Sequence, residues 1–310
     1  MAIKQVRVKI NNAWTVLTYN PSSGNYEATI AAPNITSYNV NSGHYYPVTV
    51  EATNMAGTIA TKDDTDSVIG SSLRLKVKEQ TAPVITITSP TASAFLGTNT
   101  PEIVFTITDE ANGSGVNIGS LKIKVDNTTL TNTSAGVTAS TITGGYSVKC
   151  ILQNALSDGS HTVTIDCSDN DGNAATSKSV TFTVDTVAPT LTVSQPAENG
   201  TYTSTQTLVV KGTTNDSTSS IATVKVKLNG ADQGTVTVNA SGAFEKSITL
   251  AAGTNTIEVT ATDKAGKSTT VTRTIILDIS VPEIETVTIT PNPVNTGNSF
   301  VISVTVKEGD

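Results

Sequence analysis

The stretch Ile257-Glu-Val-Thr-Ala-Thr-Asp-Lys-Ala-Gly266 decides the fold, because two further versions of it occur in the chain. The other versions are Val48-Thr-Val-Glu-Ala-Thr-Asn-Met-Ala-Gly57 and Val163-Thr-Ile-Asp-Cys-Ser-Asp-Asn-Asp-Gly172. Each has apolar residues at every second position and ends on a glycine, which is typical of a strand that leads into a turn. A second alternating run follows each time, and the three runs are Leu73–Val77, Val180–Val184 and Val271–Leu277. Each copy therefore predicts a β-hairpin that closes a domain.

Proline follows each of these hairpins, at Pro83, Pro189 and Pro282. Proline lacks the backbone N–H that a sheet ladder uses, so it sets a joint between neighbouring units. Between the joints we expect about seven short strands per unit, and nowhere does an apolar stripe with the helical period persist for ten residues. The fold class is therefore all-β, an elongated array of tandem Ig-like β-sandwiches. The predicted units are 1–79, 80–185, 186–279 and 280–310.

The composition excludes several classes of protein. Of the 310 residues 15% are charged, 37% are hydrophobic and 56 are Thr, a residue that favours strands. The net charge of −7 argues against a nucleic-acid partner, and there is no run of about 18 apolar residues that would cross a membrane. Two His and two Cys leave little for metal or nucleophilic catalysis, so we do not expect an enzyme.

Segments in the later units resemble bacterial Ig-like domains of surface and phage proteins. In residues 186–279 these segments are Val224-Lys-Val-Lys-Leu-Asn-Gly230, Ser241-Gly-Ala-Phe244 and Gly253-Thr-Asn-Thr-Ile-Glu-Val-Thr-Ala-Thr-Asp-Lys-Ala-Gly266. In residues 80–185 they are Asp109 with Ser114-Gly-Val116, and Leu156-Ser-Asp-Gly-Ser-His-Thr-Val163. The resemblance implies the sandwich fold in both units.

The first unit resembles tail-associated Ig-like proteins of phages and prophages of Gram-positive bacteria. The residues that carry this resemblance are Leu17-Thr-Tyr-Asn-Pro21, Asn34-Ile-Thr-Ser-Tyr38 and Tyr45-Tyr-Pro-Val48. The resemblance implies a structural role in a tail particle, where Ig-like domains serve more than one purpose.

The first unit matches only the later part of the third unit. Val6-Arg-Val-Lys-Ile-Asn-Asn12 aligns with Val224-Lys-Val-Lys-Leu-Asn-Gly230, whereas the third unit has two predicted strands, near 190–194 and 206–213, ahead of that match. We therefore expect an incomplete N-terminal sandwich that lacks its first two strands. The alternative is a complete smaller sandwich in which residues 35–40 form an extra strand.

The stretch 282–308 shows the reverse, because it matches the opening of the second unit, Pro83-Val-Ile-Thr-Ile-Thr-Ser-Pro90 and Pro101–Glu110. We expect a two-stranded C-terminal stub that acts as donor strands, and its apolar set is Ile284, Val287, Ile289, Phe300, Ile302, Val304 and Val306. An isolated pair of strands is marginal in water, so this set needs a partner. The stub is predicted to complete the first unit of a neighbouring chain by strand addition. Docking on another particle protein, or no complementation at all, remain the alternatives.

Acidic residues gather near the ends of several predicted strands, and the candidate calcium ligands are Asp109, Asp166, Asp169 and Asp171. Calcium takes six to eight oxygen ligands. The run Asp169-Asn-Asp-Gly-Asn173 lacks the later bidentate Glu of a calcium loop, and solvated turns explain the same residues. No other cofactor is expected.

Aromatic residues concentrate in the first unit, where six of the 13 lie between residues 14 and 46. Trp14, Tyr19, Tyr45 and Tyr46 are candidates for the acceptor interface or a glycan platform, with core packing as the alternative. Cys150 and Cys167 alternate with apolar residues, which favours two buried thiols over a disulfide between sheets. His44 and His161 have no ligand set around them in sequence.

These observations together predict a non-enzymatic structural or adhesive component of a phage tail or phage-like particle that assembles through its ends. Its partners would be other tail subunits, as a homo-oligomer or docked on another tail protein, with a host-surface glycan as a further candidate. Residues 1–10 contain no apolar core of a secretory signal, which favours cytoplasmic synthesis and localisation in the virion tail. The alternatives are a bacterial cell-surface adhesin and a carbohydrate-binding Ig-like array of a larger enzyme.

Overall fold

The computed structural model describes residues 2–33 and 36–309, so the quoted segment Asn34–Tyr38 begins outside them. Within these ranges the regular structure is β-strand, apart from two short 3-10 helices at Tyr38–Val40 and Gly70–Leu73. The all-β prediction is therefore confirmed. The chain divides into two compact units, and from here on the terms first unit and second unit refer to these two. The first comprises Met1–Ala94 with Thr98–Val184, and the second comprises Phe95–Gly97 with Asp185–Asp310.

The first unit begins with one antiparallel sheet, which we name the first sheet. Its strands are β1 (Ile3–Ile10), β2 (Ala13–Asn20), β3 (Asn25–Glu27), β4 (Tyr46–Asn54), β5 (Ile59–Lys62) and β6 (Arg74–Leu75). The order is β3-β2-β1-β4-β5, and β6 also pairs with β4. The pairs Val6 with Leu17 and Val8 with Val50 set a register that collects apolar residues on one face.

The predicted strand Leu73–Val77 is shorter in the structure. After Gly57 the chain pairs with β4 first through Ile59–Lys62 and then only through Arg74–Leu75. The turn between them is held by acidic side chains, since Asp66 Oδ1 accepts the N–H groups of Val68 and Ile69 at 2.9 and 3.0 Å. These local hydrogen bonds compete with the sheet ladder, so the hairpin closes through Ile59–Lys62, which the sequence did not predict, and the predicted strand Leu73–Val77 is reduced to Arg74–Leu75.

The rest of the first unit contains a two-sheet sandwich, which we name the second sandwich because it corresponds to the second predicted unit, 80–185. Its first layer has the order β12-β13-β9-β7, formed by β7 (Val84–Ser89), β9 (Glu102–Thr108), β12 (Val137–Ile142) and β13 (Gly145–Ile151). Its second layer has the order β11-β10-β14-β15, formed by β10 (Val116–Val125), β11 (Thr128–Leu130), β14 (Gly159–Asp169) and β15 (Lys178–Val184). Both layers contribute alternate side chains to the core, and Phe105 and Phe182 are completely buried.

The second unit contains another two-sheet sandwich, which we name the last sandwich, together with the short strand β8 (Phe95–Leu96). One layer has the order β16-β18-β21, formed by β16 (Thr190–Gln195), β18 (Thr207–Asn215) and β21 (Ala243–Thr249). The other has the order β17-β23-β22-β19-β20, formed by β17 (Thr201–Thr203), β19 (Ile221–Leu228), β20 (Ala231–Val236), β22 (Gly253–Asp263) and β23 (Ser268–Leu277). The sequence did not predict β17, which runs parallel to β23 along residues 275–277.

The second unit ends in a two-stranded hairpin, which we name the 283–307 hairpin. It consists of β24 (Glu283–Thr290) and β25 (Val301–Lys307), and the two strands pair only with each other. Every residue of both strands is exposed. The hairpin therefore forms its own sheet without a covering layer among the described residues.

Threonine lines the outer faces of the sandwich sheets, where hydroxyl groups pair across strands. Thr260 Oγ1 lies 2.8 Å from Thr270 Oγ1, and Thr164 Oγ1 lies 2.7 Å from Ser179 Oγ. Such cross-strand pairs satisfy polar groups without charge. The high Thr content and the low charge of the sequence therefore have one structural cause.

Candidate functional site

The inner face of the first sheet is apolar and only partly covered. Val6 and Ile10 on β1 and Val50 and Ala52 on β4 are half-buried, and Val8 between them is buried. The equivalent face of the last sandwich consists of Val224, Val226, Leu228, Val259 and Ala261, all of them buried, with the layer β16-β18-β21 packed against them. The same residue pattern is therefore sealed in one place and partly open in the other.

The aromatic candidates of the first sheet do not form one platform. Trp14 lies on the outer face, 39% exposed, with the Arg7 guanidinium 4.2 Å from its ring centroid. Tyr19 is 52% exposed on the opposite face, where its ring lies 5.3 Å from that of Tyr26. A single ligand therefore does not meet both Trp14 and Tyr19.

The adjacent tyrosines Tyr45 and Tyr46 point in different directions. Tyr46 is buried, and its hydroxyl donates to the carbonyl oxygen of Thr36 at 2.6 Å. The Tyr45 hydroxyl donates to Asp64 Oδ2 at 2.7 Å, and this hydrogen bond raises the pKa of Tyr45. Tyr46 therefore has a place in the core, whereas Tyr45 remains half-buried at the surface.

The predicted donor residues all lie in or beside the 283–307 hairpin. The pairs Ile284 with Val306, Val287 with Val304 and Ile289 with Ile302 place six apolar side chains on one face, each between 43% and 65% exposed. Phe300 comes directly before β25 and is 49% exposed. The other face carries hydroxyl groups, such as Thr286 Oγ1, which donates to Thr305 Oγ1 at 3.0 Å.

The four candidate calcium ligands separate into three places. Asp166 lies on the outer face of β14, where it accepts a hydrogen bond from Ser177 Oγ. Asp171 is buried and accepts from Ser37 Oγ and Asn39 Nδ2, both at 2.6 Å, so it ties the loop after β14 to the first sheet's long loop. Only Asp109 and Asp169 come together.

Asp109 and Asp169 form a triad with Glu79, which the sequence did not single out; one carboxylate oxygen from each lies within 4.8 Å of the others. Burial and the neighbouring Asp169 carboxylate raise the pKa of Glu79 to about 7. Burial and the neighbouring Glu110 raise the pKa of Asp109 to about 6. Burial alone would raise the pKa of Asp169, but hydrogen bonds from Glu79 and Asn173 outweigh burial and lower this pKa. The raised pKa values favour the protonated form of Glu79 and Asp109 to a higher pH than in an isolated carboxyl group, whereas Asp169 favours the ionised form.

A second triad, also not predicted, consists of Asp185, Asp216 and Asp263, and one carboxylate oxygen from each lies within 4.8 Å of the others. A signal for it was present in the sequence. Asp263 occupies the position in its repeat that Asp169 occupies in the second copy, and Asp185 precedes Pro189 much as Glu79 precedes Pro83.

The cysteines and His161 have structural surroundings. Cys150 and Cys167 are free thiols, both buried, and burial raises the pKa of Cys150 to about 11. His161 is buried with Nδ1 2.7 Å from Asp126 Oδ2 and Nε2 2.8 Å from the Ser157 carbonyl oxygen. Burial alone would lower the pKa of His161, but these two acceptors raise it.

No helix within residues 2–33 and 36–309 has both the length and the apolar character needed to cross a membrane.

The folds and the repeated segments define the class of protein as a tandem array of Ig-like β-sandwiches. Residues 79–186 match the family description "Bacterial Ig-like domain". Residues 189–279 match "Glucodextranase, domain B". The bacterial Ig-like resemblance of the sequence is therefore confirmed for the second sandwich.

One curated relative is Bacillopeptidase F of Bacillus subtilis strain 168, which is 33% identical over 150 residues. The match includes 48% of this chain but only a tenth of the length of that relative. Among solved structures, the fibronectin(III)-like modules of Clostridium thermocellum CbhA are similar with a TM-score of 0.40 and 19% identity, over 63% of this chain and 94% of that one. A tetra-tandem repeat from the extending region of a large adhesion protein has a TM-score of 0.31 and 20% identity, over 97% of this chain and 79% of that one.

Proposed function

We propose that this chain is a non-enzymatic structural component of a phage tail or phage-like particle whose subunits join end to end. In the joint, the apolar face of the 283–307 hairpin of one subunit covers the inner face of the first sheet of the next. The observation that carries the proposal is the apolar face of the hairpin, whose six side chains are exposed. The strand pairs that open the two sandwiches have their corresponding apolar faces turned into the core.

The buried counterpart of the hairpin is the pair β7 and β9. There Ile85 pairs with Ile107 and Ile87 with Phe105, and three of these four side chains are 0–2% exposed. Both pairs also carry a register shift in their first strand, between Ile87 and Ser89 and between residues 284 and 286. The hairpin therefore has the form of the two strands that open a sandwich, and burial of its apolar face would stabilise a joint.

The first sheet offers a surface of the matching kind. In the last sandwich the layer that seals the equivalent face begins with β16 and β18, which pair in the same antiparallel way as β24 and β25. A hairpin placed on the first sheet would thus take the position of those two strands. Two unlike surfaces that fit in this way generate a ring or a filament, since the contact is heterologous.

The tail location rests on the resemblance of Leu17–Pro21 and Tyr45–Val48 to tail-associated Ig-like proteins. A bacterial cell-surface adhesin is the second candidate, favoured by the match of residues 79–186 with a bacterial Ig-like domain. Immunogold labelling with an antibody against the chain distinguishes them. We expect label on tail particles, and label confined to the cell surface would favour the adhesin.

The joint is tested by mass in solution. Sedimentation velocity of the full chain should show oligomers, and Ile289→Asp should weaken association at least about tenfold, because a charge enters the buried face. The matched control is Thr288→Asp, one residue along the same strand on the hydroxyl face, which should leave association unchanged. A monomeric wild-type chain would refute assembly between copies and would direct attention to another tail protein as the partner.

Cysteine crosslinking locates the contact. A Val304→Cys chain mixed with an Ala52→Cys chain should form a mixed disulfide, because the proposed joint brings these faces together. The native thiols do not interfere, since Cys150 and Cys167 are 0% and 5% exposed. The control is a Ser303→Cys chain, whose thiol lies on the other face of the hairpin. Equal crosslinking by both hairpin variants would mean that the hairpin does not seat on the inner face.

A further inference from the structure

Three carboxylates converge in the second unit from segments that are far apart in sequence. Asp185 lies ahead of β16, Asp216 directly follows β18, and Asp263 ends β22. One oxygen from each lies within 4.8 Å of the others. Three negative groups so close together repel one another unless a proton or a cation is shared among them.

Two of the three carboxylates are buried with an oxygen that has no partner. Asp185 is 0% exposed and Asp263 is 2% exposed, and Oδ2 of each lacks a hydrogen-bond donor. Their Oδ1 atoms are engaged, since Asp185 accepts from the Val187 N–H at 3.2 Å and Asp263 accepts from the Lys267 N–H at 2.9 Å. A buried oxygen without a donor is costly, and two in one cluster point to a ligand that satisfies both.

Nearby cations do not neutralise the cluster. None of the ion pairs in the described part of the chain uses Asp185, Asp216 or Asp263. The Lys264 ammonium is directed at the Phe95 ring, 5.4 Å from its centroid, and Lys267 meets Asp263 only through its backbone N–H. Within residues 2–33 and 36–309, the cluster thus has three carboxyl groups and no ion pair with a cationic side chain.

We propose that Asp185, Asp216 and Asp263 bind a calcium ion. The donor set consists only of carboxylate oxygens, which suits a hard divalent cation rather than zinc or another softer metal. Calcium accepts six to eight oxygen ligands in a flexible geometry, whereas magnesium demands a near-ideal octahedron, so carboxylates that come from three separate segments suit calcium better. Asp216 is half-buried, so the ion reaches the cluster from its side and water completes the coordination.

Calcium at this position would fasten the start of the last sandwich. Asp185 is already anchored through its backbone N–H, which donates to the Leu96 carbonyl oxygen at 2.9 Å. Asp263 belongs to the turn between β22 and β23, and Asp216 begins the turn between β18 and β19. One ion would therefore join the entering chain to two turns of the same sandwich.

The test is calcium titration of the full chain after treatment with a chelator, followed by isothermal calorimetry and thermal unfolding. We expect saturable binding and a rise of at least about 5 °C in the unfolding midpoint at millimolar calcium, because the ion binds the folded state alone. Magnesium at the same concentration should give a smaller rise. A midpoint that does not respond to calcium would overturn the proposal.

Substitutions assign the response to this cluster. Asp263→Asn should weaken calcium binding at least about tenfold, and without calcium it should unfold no earlier than the wild type, because one repelling charge is removed. Asp232→Asn is the matched control, an exposed Asp of the same sandwich whose Oδ1 accepts the Gly234 N–H at 2.7 Å. If Asp263→Asn fails to fold, Asp216→Asn gives the same readout from the half-buried side. A calcium response that survives these substitutions would place the ion elsewhere and refute the assignment.

Discussion

The two acidic triads occupy corresponding places in two sandwiches and differ in how their oxygens are satisfied. Glu79 and Asp185 precede the first strand, Asp109 and Asp216 follow the next long strand, and Asp169 and Asp263 each end the strand before the closing hairpin turn. In the first triad Asp169 accepts hydrogen bonds on both oxygens and one buried oxygen, Asp109 Oδ1, lacks a donor, whereas in the second triad the Oδ2 atoms of both Asp185 and Asp263 lack one.

The difference follows from the neighbouring side chains. Asn173 donates its amide to Asp169 Oδ2 at 2.7 Å, and Ser114 donates its hydroxyl to Glu79 at 3.2 Å. The residue that corresponds to Asn173 in the last sandwich is Lys267, which contributes only its backbone N–H. Fewer carboxylate oxygens are therefore left without a donor where Asn173 and Ser114 donate, and the two that remain in the last sandwich belong to the proposed cation site.

The largest expected effect comes from removing Asp169. Its carboxylate accepts the N–H groups of Gly172 and Asn173, at 2.6 and 2.8 Å, as well as the Asn173 amide. Asp169→Ala should destabilise the second sandwich by about 2–4 kcal/mol, because three donors, two N–H groups and one side-chain amide, lose their acceptor together. Hydrogen exchange of the buried β14 amides measures this change.

The corresponding substitution in the last sandwich breaks or supports the comparison. Asp263→Ala removes one accepted hydrogen bond together with a repelling charge, so in a chelator it should cost about 1 kcal/mol or less. Equal losses for Asp169→Ala and Asp263→Ala would show that the two triads are alike.

An intermediate effect is expected from pH on the first triad. The folded-state pKa values of Glu79 and Asp109 are raised to about 7 and about 6, above their ordinary values of 4.5 and 3.8. A carboxyl group with a raised pKa stabilises the fold fully below its unfolded pKa and loses that contribution as pH rises through the folded value. Stability of the second sandwich should therefore fall between about pH 4 and 7, by roughly 1 kcal/mol per group after solvent screening.

Paired amide substitutions check the origin of this fall. The double variant Glu79→Gln with Asp109→Asn cannot titrate at these positions, so its stability should be nearly flat over the same range. Urea unfolding at a series of pH values gives the free energy of unfolding of the wild type and the variant. If this free energy falls with pH equally in both, the titration belongs to other groups.

The smallest effect is expected at His161, whose imidazole is paired with the Asp126 carboxylate. The two acceptors raise the pKa of His161, so its contribution is complete below about 6.5 and is lost as pH rises through the raised value. Asp126 is affected in the opposite sense, because burial is outweighed by hydrogen bonds from His161 and Thr162 that lower its pKa. His161→Gln should lose about 1 kcal/mol near pH 6 and less near pH 8. NMR titration of the imidazole measures the pKa directly, and a value below 6.5 would contradict this account.

Alternation of apolar residues was sufficient to predict the strands of the last sandwich. The predicted strands near 190–194 and 206–213 agree with β16 and β18 to within two residues at either end. The glycines that end the repeated segments also behave as expected, since Gly57, Gly172 and Gly266 have φ of +87°, +98° and +85°. Period and turn chemistry are local properties, so one sequence is enough to identify them.

The triads were harder to predict, because their members meet only after the layers fold. The acidic stretch Asp166–Asp171 suggested ligands close together in sequence, but alternation along β14 turns Asp166 to the outer face. Asp185 lies 78 positions before Asp263 in the sequence, and the residues next to each of them do not indicate that it is buried. Comparing equivalent positions of the repeats is the step that would have identified both clusters.

The three-residue pairing of β17 with β23 has a mechanical consequence. Because these strands are parallel, tension applied to the chain before Thr201 and after Leu277 pulls them in opposite directions along their shared axis. Their hydrogen bonds are then loaded in shear and must break together, whereas an antiparallel hairpin pulled at its open end releases them one after another. Under such tension a strand of only three residues would hold the two ends of this sandwich together until all of its hydrogen bonds broke at once.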